Sequence, residues 1–117
     1  MRVVHHEEIG AKPVAAEGAE RATIREIFTA ETGAPTFAMR VFDLAPGGCT
    51  PLHSHPWEHE VYVLDGSGEV EGAEGATPLS PGMAVYVAPN EVHRFRAHAG
   101  SPLKFLCLIP VQQVCCR

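Results

Sequence analysis

The sequence predicts an all-β fold, a sandwich or a barrel built from short strands. Ten prolines and eleven glycines divide the chain of 117 residues at short intervals. Few gaps between these breaks could hold a helix of about twelve residues. The pieces between them are rich in β-branched and aromatic side chains. Short strands that alternate with turn signals are typical of sandwiches and barrels.

Seven segments carry the strand pattern, and they follow one another to the end of the chain. They are residues 22–28, 37–44, 60–64, 68–72, 83–87, 93–97 and 103–109. The segment 11–22 is expected to hold one helical turn. No linker, internal repeat or low-complexity run interrupts the series, so we expect a single domain over residues 1–117.

Composition narrows the range of functions. The formal net charge is −5, with nine Lys and Arg against fourteen Asp and Glu, which argues against general nucleic-acid binding. No apolar run has the length of a signal peptide or a membrane span, so no membrane association is expected and the cytoplasm is the default location. Cys49 and Cys107 lie inside patterned segments and are expected to be buried thiols. Cys115 and Cys116 are adjacent, and their role stays open between an incidental pair, metal capture and a disulfide between chains.

The strongest chemical signal is the run from His53 to Glu60, which holds three histidines in seven residues. On a strand, His53 and His55 would share one face with Cα atoms about 6.6 Å apart. Two imidazoles at that spacing can converge on one ion. His59 follows Pro56 and Trp57, which suggest a tight bend that brings it back beside the first pair. Imidazole ligands suit Zn, Cu, Fe and Ni.

The spacing of this region resembles the first motif of the cupin family. Five residues separate Gly47 from His53, one residue separates His53 from His55, three separate His55 from His59, and six separate His59 from Gly66. Cupins usually have Glu at the third ligand place, and here the gap to the last glycine selects His59 over Glu60. Glu60 is therefore a reserve ligand.

A second stretch resembles the second cupin motif. Gly82 and His93 keep the family's separation, while Pro89 is displaced by one place and Asn90 replaces glycine. The resemblance implies an all-β double-stranded β-helix, or jelly-roll barrel, with its core at residues 37–110 and with residues 1–36 as N-terminal strands and an arm. It also implies a homodimer.

The same resemblance implies that one divalent metal ion is held by His53, His55, His59 and His93. Mn or Fe is favoured, while Ni, Zn, Co or Cu is possible. Four neutral imidazoles leave the charge of the ion uncompensated, so the site should attract a small anionic ligand. A closed tetrahedral zinc site with a structural role is the alternative.

Three further residues are candidates for the substrate pocket. Arg40 is in period with Phe42 and is therefore a candidate for an inward face, where an arginine could bind a carboxylate in a bidentate way. An arginine at an edge or a dimer interface is the alternative. Phe95 is two residues after His93 and should share its face. In the strand at residues 59–64, the side with Glu60 is too apolar to be simply solvated and should be covered by a second sheet or a partner subunit.

Three hypotheses about function follow. The first is a metal-dependent cupin enzyme that binds a carboxylate or a pair of chelating oxygens, with dioxygenase, decarboxylase or isomerase chemistry. The second is a module that binds or senses a small carboxylate or sugar acid without turnover. The third, a structural dimer with a vestigial site, fits poorly with four histidines in motif positions.

Overall fold

The computed structural model describes residues 1–111, so Cys115 and Cys116 lie outside the described residues. Within that range the chain forms β-strands and two short 3₁₀ helices, at His6–Glu8 and Ala30–Thr32. The strands are β1 Lys12–Pro13, β2 Glu20–Phe28, β3 Phe37–Cys49, β4 His59–Gly66, β5 Gly68–Gly72, β6 Gly75–Leu79, β7 Ala84–Val87, β8 His93–Ala97 and β9 Leu103–Pro110.

The strands form one curled antiparallel sheet in the order β6-β5-β8-β3-β9-β4-β7, and β2 pairs with both β1 and β3. Strand β3 is thirteen residues long. It pairs with β9 over Phe37 to Leu44 and meets β8 only at Cys49, beyond the glycine pair at its end. This crossing from one set of partners to another curls the sheet on itself, which confirms the predicted all-β jelly-roll barrel.

The core lies between the inner faces of these strands. Strand β9 shows the two-residue period, with Leu103, Phe105, Cys107 and Ile109 buried and the residues between them partly exposed. Phe105 stacks on Phe42 of β3 with ring centroids 5.1 Å apart. The alternation places every second side chain of β3, β4 and β9 inside the barrel.

One motif glycine is required by a close approach of two backbone segments. Gly66 ends β4 with a φ of +83°, and a Cβ there would lie 1.8 Å from the carbonyl oxygen of Pro102. Any Cβ would collide at that contact, and glycine also adopts a positive φ without strain. The turn from β4 into β5 therefore depends on it.

Some local expectations were wrong. The segment 11–22 has no helical turn; Lys12–Pro13 instead forms a strand against β2. Strand β6 was not predicted, because Gly75 and Pro78 indicate a turn. Proline is tolerated there because β6 is at one edge of the sheet. An edge strand pairs on one side only, so it can accommodate a residue that lacks a backbone N–H. Among residues 1–111, no helix is long and apolar enough to cross a membrane.

Candidate metal centre

The four motif histidines come from three separate parts of the fold. His53 and His55 lie in the segment between β3 and β4, while His59 begins β4 and His93 begins β8. His53 and His93 exchange two backbone hydrogen bonds, with N···O distances of 3.2 and 3.0 Å. This isolated bridge holds the first motif against the second and brings their side chains to one end of the barrel.

The imidazole rings converge. One nitrogen each from His53, His55 and His93 lies within 4.8 Å of the others. Their ring centroids are 5.0 to 5.1 Å apart. His59 is outside that group of three, but its ring stacks on His55 at 4.3 Å and lies 5.1 Å from His93. The structure thus gathers three histidines as a possible metal cluster, with the fourth in contact.

Burial favours the neutral form of His53, His55 and His59. His55 and His59 are buried, and His53 is partly buried. Desolvation is the main reason that the pKa of His53 is lowered to about 4 and that of His59 to about 2, and the neighbouring histidines and Arg40 lower both further. Desolvation also lowers the pKa of His55, against hydrogen bonds that raise it. Because a neutral imidazole has a free lone pair, these groups are in the form that binds metal.

Two carbonyl oxygens fix the ring tautomers. His55 Nδ1 lies 3.2 Å from the carbonyl oxygen of Trp57, and His93 Nδ1 lies 2.8 Å from that of Glu91. A carbonyl only accepts, so in each neutral ring Nδ1 carries the proton and donates. The lone pair is then on Nε2. Metal-binding histidines are commonly oriented by such partners on the other ring nitrogen.

His59 is held by sulfur. Its Nδ1 lies 3.2 Å from Sγ of Cys107, and Nη2 of Arg40 donates to the same sulfur over 3.1 Å. Its Nε2 lies 2.6 Å from Nε2 of His55. When both rings carry their proton on Nδ1, the two Nε2 lone pairs face each other, an arrangement that a bound cation would stabilise. The donor set therefore fits a divalent ion when His59 Nδ1 carries its proton toward Cys107.

A cavity of about 330 Å³ opens beside the histidines, at the small end of the range for ligand sites. Its walls are mostly apolar, and Trp57 forms one of them by stacking on His55 with centroids 4.3 Å apart. Arg40, Phe42 and Phe95 all line this cavity. Arg40 is only 5% exposed, so it points inward rather than toward an edge.

Other candidates lie away from the centre. Glu60 is exposed, on the opposite side of β4 from the buried His59. Cys49 is buried, and its thiol donates to the carbonyl oxygen of Gly18 over 3.6 Å.

The sequence analysis missed part of the cavity wall. Residues 12–16 of the N-terminal arm line it, together with Glu26 and Glu31. No local pattern marks the arm as a wall, because its position follows from the pairing of β1 with β2.

The chain belongs to the cupin family. A model of the cupin domain matches residues 40–109, which include all four histidines of the centre. The motif resemblance and the curled all-β sheet agree with this assignment.

Two solved structures and one curated protein are similar to this chain. A polyketide cyclase from Streptomyces resistomycificus is 33% identical, with a TM-score of 0.90 over 100% of this chain and 80% of that one. A cupin 2 domain-containing protein from Halorhodospira halophila is 35% identical, with a TM-score of 0.71 over 84% of this chain and 70% of the other.

A curated relative, the 1-methylthio-D-xylulose 5-phosphate methylsulfurylase of Rhodospirillum rubrum, is 29% identical over 93 residues. Those residues are 80% of this chain, and the match spans 59% of the length of that relative.

Proposed function

We propose that this cupin binds one divalent metal ion through His53, His55, His59 and His93 and acts on a small substrate that offers two chelating oxygens. The observation that carries the proposal is the convergence of four imidazole rings, with neighbouring centroids 4.3 to 5.1 Å apart, in the wall of a cavity. Mn or Fe is favoured among ions that accept imidazole, water and substrate oxygens together.

The residues around the ion suit a Lewis-acid site. A bound divalent ion would polarise the oxygens of a carboxylate, a dicarbonyl or an enolate. Since all four proposed ligands are neutral, they leave the charge of the ion available to the substrate. The mostly apolar walls, Trp57 and Phe95 among them, lower the local dielectric constant and so strengthen electrostatic interactions in the cavity.

The similarity to a polyketide cyclase favours enolate chemistry within this class. Cyclisation of a poly-carbonyl chain requires loss of a proton between two carbonyl groups, and a chelating cation stabilises the resulting charge. Oxygenation and decarboxylation of such compounds also develop charge on two oxygens that the ion would chelate. We therefore propose a 1,3-dicarbonyl compound as the first substrate class to test.

The test combines metal content with chemistry. Protein purified without added ions is analysed for metals, then incubated in D₂O with acetylacetone and small β-keto acids. Deuterium uptake at the central carbon, CO₂ release and oxygen consumption are recorded before and after chelator treatment. The proposal predicts about one ion per chain and at least one chelator-sensitive reaction that the ion restores.

Two results argue against enzymatic function. Stable binding of the compounds without turnover would support a binding or sensing module, which is the competing function. Failure to retain any divalent ion after reconstitution would contradict the metal site itself. An His93→Ala variant serves as the matched control, because the proposal requires it to lack both the ion and the chemistry.

A further inference from the structure

Arg40 is a buried cation in the wall of the cavity that holds the proposed metal site. It lies near the start of β3, opposite Cys107 of β9 in the sheet register. The residue is 5% exposed and lines the same cavity as the four histidines. An arginine stays charged at any pH at which the protein folds, so its charge is a permanent feature of the cavity.

The contacts of Arg40 leave this charge unbalanced. Nη2 donates to the sulfur of Cys107, and the guanidinium lies over the ring of Phe42 at 5.1 Å from its centroid. A thiol is a weak acceptor, and Nε is buried with no hydrogen-bond partner among residues 1–111. Burying a charge is costly unless it is paired.

No carboxylate of the described residues supplies the missing partner. Glu26 faces Arg40 across the β2–β3 ladder, but its side chain forms an ion pair with Lys12. No ion pair joins Arg40 to any Asp or Glu in residues 1–111. The guanidinium thus presents its hydrogen-bond donors next to a cavity, with no anionic partner among residues 1–111.

A bound divalent ion would add to the same imbalance. The four imidazoles are neutral donors, so the ion and Arg40 would together place about three positive charges around one cavity of about 330 Å³. One chelating oxygen pair is enough to bind the ion. Glu26 and Glu31 also line the cavity, but neither forms an ion pair with Arg40, so the guanidinium is left to pair with an acidic group of the ligand.

We propose that Arg40 is the anchor for a carboxylate on the substrate, so that the ligand is a metal-chelating compound with a separate acidic arm. This inference rests on the proposed metal site. It deepens that proposal by assigning the substrate class: a dicarbonyl or enolisable compound whose free carboxylate forms charge-assisted hydrogen bonds with the guanidinium. Phe42 lies beside the guanidinium, with its ring centroid 5.1 Å from Cζ.

The experiment compares chelators with and without the acidic arm. Protein loaded with Co²⁺ is titrated with acetohydroxamate, which chelates but has no carboxylate, and with monohydroxamates of dicarboxylic acids that carry one, two or three methylenes. Changes in the visible spectrum of the cobalt report binding at the metal. Charge-assisted pairing predicts that the best acidic homologue binds the native protein about ten- to a hundredfold more tightly than acetohydroxamate.

Two variants isolate the arginine. Arg40→Gln should bring the preference for the acidic homologue to about twofold or less while cobalt and acetohydroxamate still bind. Arg40→Lys should keep part of the preference, because the charge remains but the fork is lost. Arg94→Gln is the matched control. Arg94 follows His93 in β8 and pairs with Glu71, and it does not line the cavity. The Arg94→Gln variant should therefore behave as the native protein.

The failures of the two proposals are distinguishable. If the native protein takes up no cobalt, the proposed metal site is wrong, and so is the proposed ligand that binds both the ion and Arg40. If cobalt and acetohydroxamate bind but no homologue is preferred, only the role of Arg40 is overturned. The same holds if Arg40→Gln retains the full preference. If Arg40→Gln does not fold, Arg40→Lys takes its place, and a full preference in that variant overturns the role of the arginine fork.

Discussion

The two sides of strands β3, β9 and β4 carry very different chemistry, although they alternate along the same chain segments. On the inner side, one row of the sheet joins Arg40 to Cys107, and Cys107 contacts His59. On the outer side, the neighbouring row joins Met39, Leu108 and Glu60. A shift of one residue moves a side chain from a desolvated cavity to the surface. The inner row therefore has buried polar groups with defined partners, while the outer row has the exposed Glu60 and two partly exposed apolar side chains.

The largest difference is expected between His59 and Glu60, which are adjacent in sequence but on opposite sides of β4. His59→Ala should weaken metal binding more than about a hundredfold, since losing a ligand exceeds the usual effect of losing an outer partner. Glu60→Ala should leave it unchanged. Competition with a chromophoric chelator measures both. Loss of the ion from the Glu60 variant alone would mean that Glu60, and not His59, faces the metal.

The next effect separates Cys107 from Leu108 on β9. Cys107→Ala removes the partner of His59 Nδ1, so metal affinity should fall about ten- to a hundredfold, and Cys107→Ser should restore part of it. Leu108→Ala lies on the outer side and should bind metal as the native protein does. Isothermal titration with Co²⁺ checks all three. Equal losses in the Cys107 and Leu108 variants would indicate a general packing effect instead.

The inner histidines should also make the metal-free protein sensitive to acid. Their pKa values in the folded state, about 4 for His53 and about 2 for His59, lie below the ordinary value of 6.5. The unfolded chain therefore binds more protons between these values, and stability falls as the pH falls below about 6.5. Each such histidine contributes a slope of at most about 1.4 kcal/mol per pH unit.

Urea unfolding at pH 7, 6 and 5 measures this slope. His59→Gln should reduce it, whereas the exposed His98→Gln should not. A free energy of unfolding that does not change over this range would contradict the burial of neutral imidazoles.

The smallest expected effect is spectroscopic. Trp57 is the only tryptophan of the chain, and its ring is parallel to that of His55 within 2°. Binding of Co²⁺ or Cu²⁺ at His55 should quench its fluorescence by energy or electron transfer over this short contact. Zn²⁺ serves as the control ion because it has no partly filled d shell. A fluorescence titration that shows no quenching at full occupancy would place the ion away from His55.

The sequence predicted the parts of the molecule that depend on short-range pattern. Motif spacing singled out His53, His55 and His93, which the structure brings together. The two-residue period grouped Arg40 with Phe42 but left open whether Arg40 faces the cavity or an edge; in the structure both residues line the cavity. The sequence could not predict that Cys107 contacts both Arg40 and His59, because these contacts depend on the register of three strands far apart in the chain.

The position of the N-terminal arm could not be predicted from the sequence for the same reason. Residues 12–16 show no periodic pattern, and the helical turn expected there was wrong. Their place in the cavity wall follows from long-range pairing of β1 with β2, in which Lys12 is opposite Ile24 and Pro13 is opposite Thr23. A two-residue strand carries too little local signal to be found before its partner is known.

The most direct test of the account is a crystal structure of the protein reconstituted with Mn²⁺ or Fe²⁺, with anomalous diffraction used to locate the ion. We predict one strong peak bounded by the Nε2 atoms of His55, His59 and His93 and by a ring nitrogen of His53, each about 2.0 to 2.3 Å away. A map with no peak among these four rings, or a peak that lacks His93, would contradict it.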